Sequence, residues 1–179
     1  MLRELAPAAS ADLAGIEYAS MAIATFAFRN VALPEGSGLL VGAREGLAVK
    51  GVTISSHKWP LDAGPELTVL RASIGRVGET QVLQREDAEL LQLARRDLRS
   101  LLGLTAEPVD ALLTRWGGGL PQYAVGHVER VARIHAAVDA VAGLAVCGAA
   151  FDGVGLPACI GSAQRAAGHV ADRLSQRGQ

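Results

Sequence analysis

Two glycine-rich loops are the places in this sequence where backbone groups are best arranged for chemistry. They are RWGGGLPQY at residues 115–123 and AAFDGVGLPACIGSA at residues 149–163, and each has an apolar turn that ends in Leu-Pro. The second loop leads into a predicted helix that Pro157 is well placed to begin. Free N–H groups at a helix start can meet an electron-rich group, while Gly153 and Gly155 allow the backbone to approach a flat ligand closely.

The second loop also has an interpretation without a ligand. Gly161, Ser162 and Ala163 keep the first turns of the last helix slim. Slim helices pack closely against strands, so these residue types suit a purely structural contact as well as a ligand site. The residues alone leave both interpretations open.

Other catalytic and binding patterns do not occur. GSGLLVG at residues 36–42 has one residue too many for a GxGxxG fingerprint, and the GGG at 117–119 is not followed by the Gly-Lys-Ser/Thr of a phosphate loop. There is no GxSxG nucleophile elbow. Cys147 and Cys159 are too far apart for a zinc knuckle, and Cys147 is expected to be a buried, inert thiol. The histidines lack metal-ligand spacing and are interpreted as structural or surface residues: His57, His127, His135 and His169. No metal site is expected, and no residue is assigned a catalytic role.

Bulk composition excludes several classes of protein. The 179 residues carry a formal net charge of -1, which argues against a nucleic-acid-binding surface, and half of them are hydrophobic, which argues against disorder. No apolar stretch is long enough to span a membrane, and the N-terminus lacks the features of a secretory leader. With two cysteines, no disulfide framework is expected, and a reduced, cytoplasmic location fits best.

The first part of the chain predicts an antiparallel sheet with one helix. LRELAPAASADLAGI suggests a helix broken near Pro7, and YASMAIATFAF a buried strand. A strand in LAVKGVTISSHKW should place Val52, Ile54 and Ser56 on one side, and LTVLRASIG should form the next strand. Short connections favour antiparallel pairing. REDAELLQLARRDLRSLLG has helical spacing, with Gly103 as its terminator.

The second part predicts a β-α-β-α order. VDALLTRWGGGLPQYAVGH should be a strand that runs into a glycine loop, and GLAVCG a short buried strand before the last helix. The helix between them should bury one stripe of its apolar residues: Val128, Val131, Ile134, Val138 and Val141. A boundary is placed near Thr105–Pro108, which gives an α+β chain of two parts, residues 1–105 and 106–179.

Three stretches in this order carry a family resemblance: KWP after TISS, then RWGGGLPQYAVGH, then GLAVCGAAFDGVGLPACIGSAQRAA. Together they resemble the C-terminal half of the FAD-dependent porphyrinogen oxidases, the protoporphyrinogen and coproporphyrinogen oxidase family of heme biosynthesis within the flavin amine oxidases. The resemblance extends over nearly the whole chain, beginning at LRELAPAASADLAGIEYASMAIATFAF. Its most specific pieces are LPQYAVGH and GAAFDGVGLPACI.

The resemblance implies a fold and a set of ligands. Residues 1–105 would be part of a sheet-based substrate-binding domain, and residues 106–179 would return to a Rossmann-like FAD domain. Porphyrinogen would lose hydride to the flavin, which oxygen would reoxidise. The family's flavin-facing loop corresponds here to Gly153, Val154, Gly155 and Leu156, and Trp116 is the next expected flavin contact.

The resemblance also implies a missing part, because the family's N-terminal strand and GxGxxG have no counterpart here. The sequence therefore predicts a fragment that is inactive alone and that either docks with the missing N-terminal half or forms a homo-oligomer. The alternative is a non-catalytic interaction domain that has lost flavin binding. The first hypothesis requires Trp116, Gly155 and Leu156 to line one concave surface and an apolar face to be exposed for docking.

Overall fold

The chain folds into two compact units. The computed structural model describes residues 1–59 and 66–177. One unit, here called the sheet unit, is Ala19–Gly119, and the other, here called the end unit, combines Met1–Tyr18 with the chain from Leu120 onward. In the part of the chain that the model describes, no helix has both the length and the hydropathy needed to cross a membrane.

Five strands organise the sheet unit. They are β1 (Tyr18–Arg29), β2 (Gly38–Leu40), β3 (Val49–Ile54), β4 (Leu67–Ile74) and β5 (Asp110–Pro121). Their order in the sheet is β2-β3-β4-β1-β5. The pairs β1–β4, β2–β3 and β3–β4 are antiparallel. β5 is antiparallel to β1 as well, because the Val109 N–H donates to Ala27 O while the Gly118 N–H donates to Ser20 Oγ, further back along β1.

One helix covers the core of this sheet. The helix α4 (Asp87–Leu102) buries Leu90, Ala94 and Leu98 in the same cluster as Phe26, Phe28 and Leu70. Its N-terminus carries a capping box in which the Glu86 and Glu89 side chains bond each other's backbone. Gly103 ends the helix with φ +66°, a conformation that glycine adopts without strain. The predicted helix and its terminator are therefore confirmed.

A buried carboxylate links α4 to the sheet. Asp97 is 0% exposed, and its Oδ2 accepts a hydrogen bond of 3.0 Å from the Val49 N–H at the start of β3. Its Oδ1 accepts two hydrogen bonds from the Arg96 guanidinium, at 3.2 and 3.1 Å. Both oxygens of the buried charge are satisfied, as burial of an ionised group requires.

Helices form the end unit. They are α1 (Leu2–Leu5), α2 (Pro7–Ala14), α5 (His127–Asp139) and α6 (Leu156–Arg177). Ala6 and Ala9 near the start of the chain pack with Val131 and Ile134 of α5 in one cluster. The Arg133 guanidinium bonds both carboxylate oxygens of Asp12, and these hydrogen bonds hold the pKa of that carboxyl below its usual value.

The predicted α+β class with an antiparallel sheet is confirmed, but several local predictions are wrong. GLAVCG forms no strand: Leu144–Cys147 forms no ladder with a described residue of the end unit, the Leu144 N–H donates to Val141 O in a turn, and Cys147 is exposed rather than buried. A β-strand needs a neighbouring strand to complete its backbone hydrogen bonds, and an apolar composition alone does not supply that neighbour.

The other errors concern which residues belong to an element. The GGG lies inside β5 rather than in a loop, because β5 continues without a break from Asp110 to Pro121. Ser56 lies in a helical turn, α3 (Ser55–Lys58), instead of a strand. Its hydroxyl accepts from the Val69 N–H at 2.7 Å and donates to Leu67 O at 3.4 Å, so a side chain carries the contact with β4.

The buried stripe of α5 begins one residue earlier than predicted. His127, Val131, Ile134 and Val138 are buried at i, i+4, i+7 and i+11, whereas Val128 is 77% exposed. A search for apolar periodicity treats histidine as polar. The predicted stripe therefore began at Val128 instead of at His127. The remaining positions of the predicted stripe were assigned correctly apart from Val141, which is half-buried.

The compact units divide the chain at different points from the predicted boundary near Thr105. β5 lies in the sheet through its pairing with β1, and α2, which contacts α1, packs against α5 at the other end of the sequence. The assignment of residues 1–105 to a substrate-binding domain and 106–179 to an FAD domain stays a prediction.

The Asp97 link makes a measurable contribution to stability. Asp97→Ala leaves the Val49 N–H buried without its acceptor, so the free energy of unfolding in urea should fall by about 3 kcal/mol. Asp97→Asn keeps an acceptor oxygen and should cost less. Asp172→Ala, at an exposed position of α6, is the control and should change stability by less than about 0.5 kcal/mol. Equal losses for Asp97→Ala and Asp172→Ala would contradict the assigned role.

Candidate functional site

The two loop motifs meet inside the end unit, and one hydroxyl joins them. The Tyr123 hydroxyl, from LPQY, accepts a hydrogen bond from the Gly153 N–H at 2.9 Å and donates one to Ala149 O at 2.6 Å. The Tyr123 ring stacks on the ring of His127, with centroids 3.9 Å apart and planes inclined by 13°. Segments 26 residues or more apart in sequence therefore form one structural feature.

Gly153 is required by the local backbone. Its φ is +139°, and a Cβ placed there would lie 2.9 Å from the Cβ of Ala158, closer than two carbons pack. Its peptide is held on both sides, because the Cys159 thiol is 3.6 Å from Gly153 O while Tyr123 holds the N–H. The loop thus reaches the start of α6 in one defined conformation.

The start of α6 combines backbone donors with exposed apolar side chains. The Cys159 N–H donates to Gly155 O at 3.0 Å, which makes this the first turn of the helix. The N–H groups of Leu156 and Ala158 precede any intrahelical acceptor. Val154, Leu156 and Ile160 are 50%, 79% and 60% exposed. Such a surface can accept a ligand that has an apolar face and an electron-rich edge.

The small residues around this loop serve close packing in part. Ser162 is buried, and its Oγ accepts from the Gly148 N–H at 3.0 Å and donates to Cys159 O at 2.9 Å. Gly153 and Ser162 therefore have structural reasons for their small size. Packing within the protein does not explain why Val154 and Leu156 are exposed. The structural interpretation of the loop therefore applies to Gly153 and Ser162, and the ligand interpretation applies to Val154 and Leu156.

Trp116 and the loop belong to different units of the chain. Trp116 is part of β5 in the sheet unit and is 55% exposed, whereas Gly153, Val154, Gly155 and Leu156 belong to the end unit. The structure brings the four loop residues together as one segment. The concave surface that Trp116 would share with Gly155 and Leu156 stays a prediction.

The histidines His57, His135 and His169 lie at surface or packing positions. His57 Nδ1–H donates to Gly36 O at 2.9 Å, and the His135 ring packs against Phe151 at 5.5 Å. His169 Nε2 lies 3.2 Å from Asp139 Oδ1 without hydrogen-bond geometry. Among the described residues, no three histidine, cysteine or acidic side chains converge as ligands for a metal ion.

A cleft of about 730 Å³ in the sheet unit is lined in part by Arg76, Arg85 and Arg96, and two of these guanidinium groups have protein partners. Arg76 donates to the carbonyls of Val41, Leu47 and Val49, and Arg96 to Asp97. Arg76 and Arg96 therefore serve the structure around the cleft.

Sequence reasoning missed Tyr123 as a residue of the site. It lies inside a motif noted for its glycines, and its hydroxyl partners are 26 and 30 residues away. The one local indication is the spacing Tyr-x-x-x-His in LPQYAVGH, which can place two rings near each other. Nothing local indicates the buried bonds of Ser162.

A comparison with protein families gives the chain its family. The model described as "Flavin containing amine oxidoreductase" matches residues 2–171. The chain belongs to the flavin-containing amine oxidoreductase family. FAD is the cofactor that this membership implies.

The individual relatives are porphyrinogen oxidases by name. The chain is 38% identical over 167 residues to the coproporphyrinogen III oxidase of Mycobacterium leprae (strain TN), covering 93% of this chain and 36% of the relative. It is 32% identical over 142 residues to that of Bacillus subtilis (strain 168), covering 79% and 30%. Among solved structures it is similar to a "Putative protoporphyrinogen oxidase" from Exiguobacterium sp. 255-15, with TM-score 0.82, 34% identity, and coverage of 97% of this chain and 39% of that one. The chain spans about a third of the length of these relatives.

The close approach at Gly153 can be separated from its backbone conformation by a matched pair of variants. Gly148 also has a positive φ, +122°, but no atom lies within 4 Å of the position that a Cβ would take there. Gly153→Ala should therefore lower the unfolding free energy by about 1–3 kcal/mol, and by more than Gly148→Ala, because it adds a clash with Ala158 to the backbone strain. Thermal and urea unfolding measure both losses. A larger loss for Gly148→Ala would contradict this account of the loop.

Proposed function

We propose that this chain forms part of an FAD-dependent porphyrinogen oxidase of heme biosynthesis. Gly153, Val154, Gly155 and Leu156 are proposed to lie against the isoalloxazine ring, and Trp116 to provide a second contact. The observation that carries the proposal is the conformation of the loop. The Tyr123 hydroxyl holds its backbone at the Gly153 N–H, while the apolar side chains of Val154 and Leu156 remain exposed. Membership of the flavin-containing amine oxidoreductase family is the reason for choosing a flavin as the ligand.

The residues of the loop fit a flavin. An isoalloxazine ring has flat apolar faces and an edge of carbonyl and imine acceptors. Val154 and Leu156 offer exposed aliphatic surface for a face, and the N–H groups at the start of α6 offer donors for the edge. Gly153 and Gly155 have no side chains that would hold the ring away from the backbone. Gly153–Leu156 carries no charge, and the neighbouring Asp152 is paired with Arg165, so ring binding would rely on shape and hydrogen bonds.

The proposed substrate is a porphyrinogen, either coproporphyrinogen III or protoporphyrinogen IX, after the names of the relatives. FAD, when bound, would supply the acceptor for the substrate's hydride, with oxygen as the final oxidant. This chain's part in the reaction is to hold one side of the ring and exclude water from it. The sheet unit contains most of the residues assigned to the substrate-binding domain. A cytoplasmic site of action fits the family and stays a prediction.

The remaining part of the family fold is proposed to dock on the end unit. Leu144–Cys147 has no ladder partner among the described residues of its unit, although Leu144, Ala145 and Val146 are half-buried. The Leu144 N–H donates to Val141 O, and the other half-buried backbone groups of the segment need partners as well. A cavity of about 380 Å³ lies beside this segment, lined in part by Val146, Arg165 and His169. An added strand would satisfy the segment, and a second copy of this chain is the competing occupant.

Visible spectroscopy tests the proposed function. The purified chain is given excess FAD, free cofactor is removed, and the absorption spectrum is recorded. Retained, perturbed flavin absorption would support the proposal, and tests with porphyrinogens would follow. If the chain is colourless, the measurement is repeated with the complementary part of the M. leprae relative. No flavin in either sample would favour the non-catalytic interaction domain.

The two tryptophans provide a matched test of the Trp116 contact. Trp116 and Trp59 are 55% and 49% exposed, so both should be tolerant of phenylalanine. If Trp116 contacts the flavin, FAD should quench the tryptophan fluorescence of the Trp59→Phe variant strongly and that of the Trp116→Phe variant weakly. Trp116→Phe should also weaken FAD binding by about three- to tenfold through lost stacking. Equal quenching and affinity in the two variants would remove Trp116 from the proposed site.

Cys147 reports on the docking proposal because it is exposed at the end of the unpaired segment. In a Cys159→Ser background, the Cys147 thiol should react readily with a maleimide in the isolated chain. Addition of the complementary part of the M. leprae relative should slow that labelling markedly, as followed by mass spectrometry of this chain. Protection that depends on the concentration of this chain alone would indicate a homo-oligomer instead. A complex that retains FAD without protecting Cys147 would contradict docking at this segment.

A further inference from the structure

The Tyr123 hydroxyl uses both of its hydrogen-bonding functions on one loop. It donates to Ala149 O at 2.6 Å and accepts from the Gly153 N–H at 2.9 Å. A hydroxyl has one proton to donate, and here that proton is committed to a carbonyl while a lone pair receives the amide. No other side chain bonds the Gly153 N–H in the described part of the end unit.

The two bonded groups are the ends of a turn. The N–H of residue i+4 and the carbonyl of residue i are the pair that closes one turn of an α-helix. Here the Tyr123 hydroxyl oxygen lies between Ala149 O and the Gly153 N–H, and its two hydrogen bonds replace the direct one. The hydroxyl thus holds the turn open, and Gly153, at φ +139°, directs the chain away from a helical path.

The position of the hydroxyl is itself fixed. The Tyr123 ring stacks at 3.9 Å on His127, which is 7% exposed and lies in the first turn of α5. The ring is anchored through α5, whose Val131 and Ile134 belong to the core of the end unit. A rigid helix is therefore connected through one aromatic ring to the loop.

We propose that Tyr123 is a positioning residue for flavin binding: its hydroxyl sets the conformation of Gly153–Leu156 before the cofactor arrives. This inference rests on the proposed function of that loop. A preorganised loop avoids the ordering cost that binding would otherwise include. A loop without the hydroxyl would close onto its own Ala149 carbonyl or fluctuate, and either change would withdraw Val154 and Leu156 from the ring.

The test compares Tyr123→Phe with Tyr18→Phe. These are the two tyrosines of the chain, and their exposures are similar, 44% and 47%. Each variant loses only a hydroxyl, and phenylalanine at 123 keeps the stack on His127. Amide hydrogen exchange is measured in the chain without cofactor, with attention to Val154–Leu156, whose N–H groups Tyr123 does not contact. FAD affinity and the shape of the bound-flavin absorption band are measured in the chain, or in its assembly with the complementary part of the M. leprae relative.

Tyr123→Phe should accelerate exchange at Val154–Leu156, weaken FAD binding by about tenfold and broaden the flavin band. Tyr18→Phe should match the unsubstituted chain in all three measurements. A merely structural role would lower the melting temperature without changing the flavin band. The inference is overturned if exchange at Val154–Leu156 is unchanged, or if it accelerates while affinity and spectrum remain those of the parent. Failure of the unsubstituted chain to take up flavin, alone and in the assembly, would overturn the proposed function as well.

Discussion

Backbone groups that leave a helix or a strand ladder must find another partner, and in both units of this chain a side chain provides it. Asp97 accepts the Val49 N–H, and Arg115 donates to the carbonyls of Leu83 and Arg85. Ser162 holds the Gly148 N–H, and Tyr123 holds both ends of the next turn. The loops keep their shapes through these few directed bonds. The candidate site depends on the same constraint, since its loop has no regular structure of its own.

Local periodicity explains which elements the sequence predicted well. The helix α4 has apolar residues at helical spacing, acidic residues in its first turn and a glycine at its end, so its local preferences agree. The strand β1 is apolar on both faces and long. Elements whose structure depends on contacts with distant residues were harder to predict from the sequence. Leu144–Cys147 has a strand-like composition without a described ladder, and Ser56 contacts β4 through its hydroxyl although its backbone is helical.

The candidate site shows the same limit. Gly153–Leu156 could be predicted because a glycine-rich turn before a helix is a local pattern that a family resemblance makes specific. The contributions of Tyr123 and Ser162 could not, because each depends on a bond to a segment that only the fold brings near. His127 was interpreted only as a structural or surface residue, and its stacking against the tyrosine ring could not be predicted. Residues proposed to contact a ligand are easier to recognise from a local sequence motif than residues that hold the motif in its conformation.

The division of the chain into two units affects the order in which they can fold during synthesis. The sheet unit is one continuous stretch, Ala19–Gly119, and it interrupts the end unit, whose first helices emerge long before α5. During translation the sheet can form as soon as β5 is available, whereas Ala6, Ala9 and Ile16 lack their apolar partners until Val131 and Ile134 follow. Until α5 is synthesised, the helices of Met1–Tyr18 therefore lack the apolar partners that α5 provides. This interval is the stage at which aggregation or chaperone capture would compete with folding.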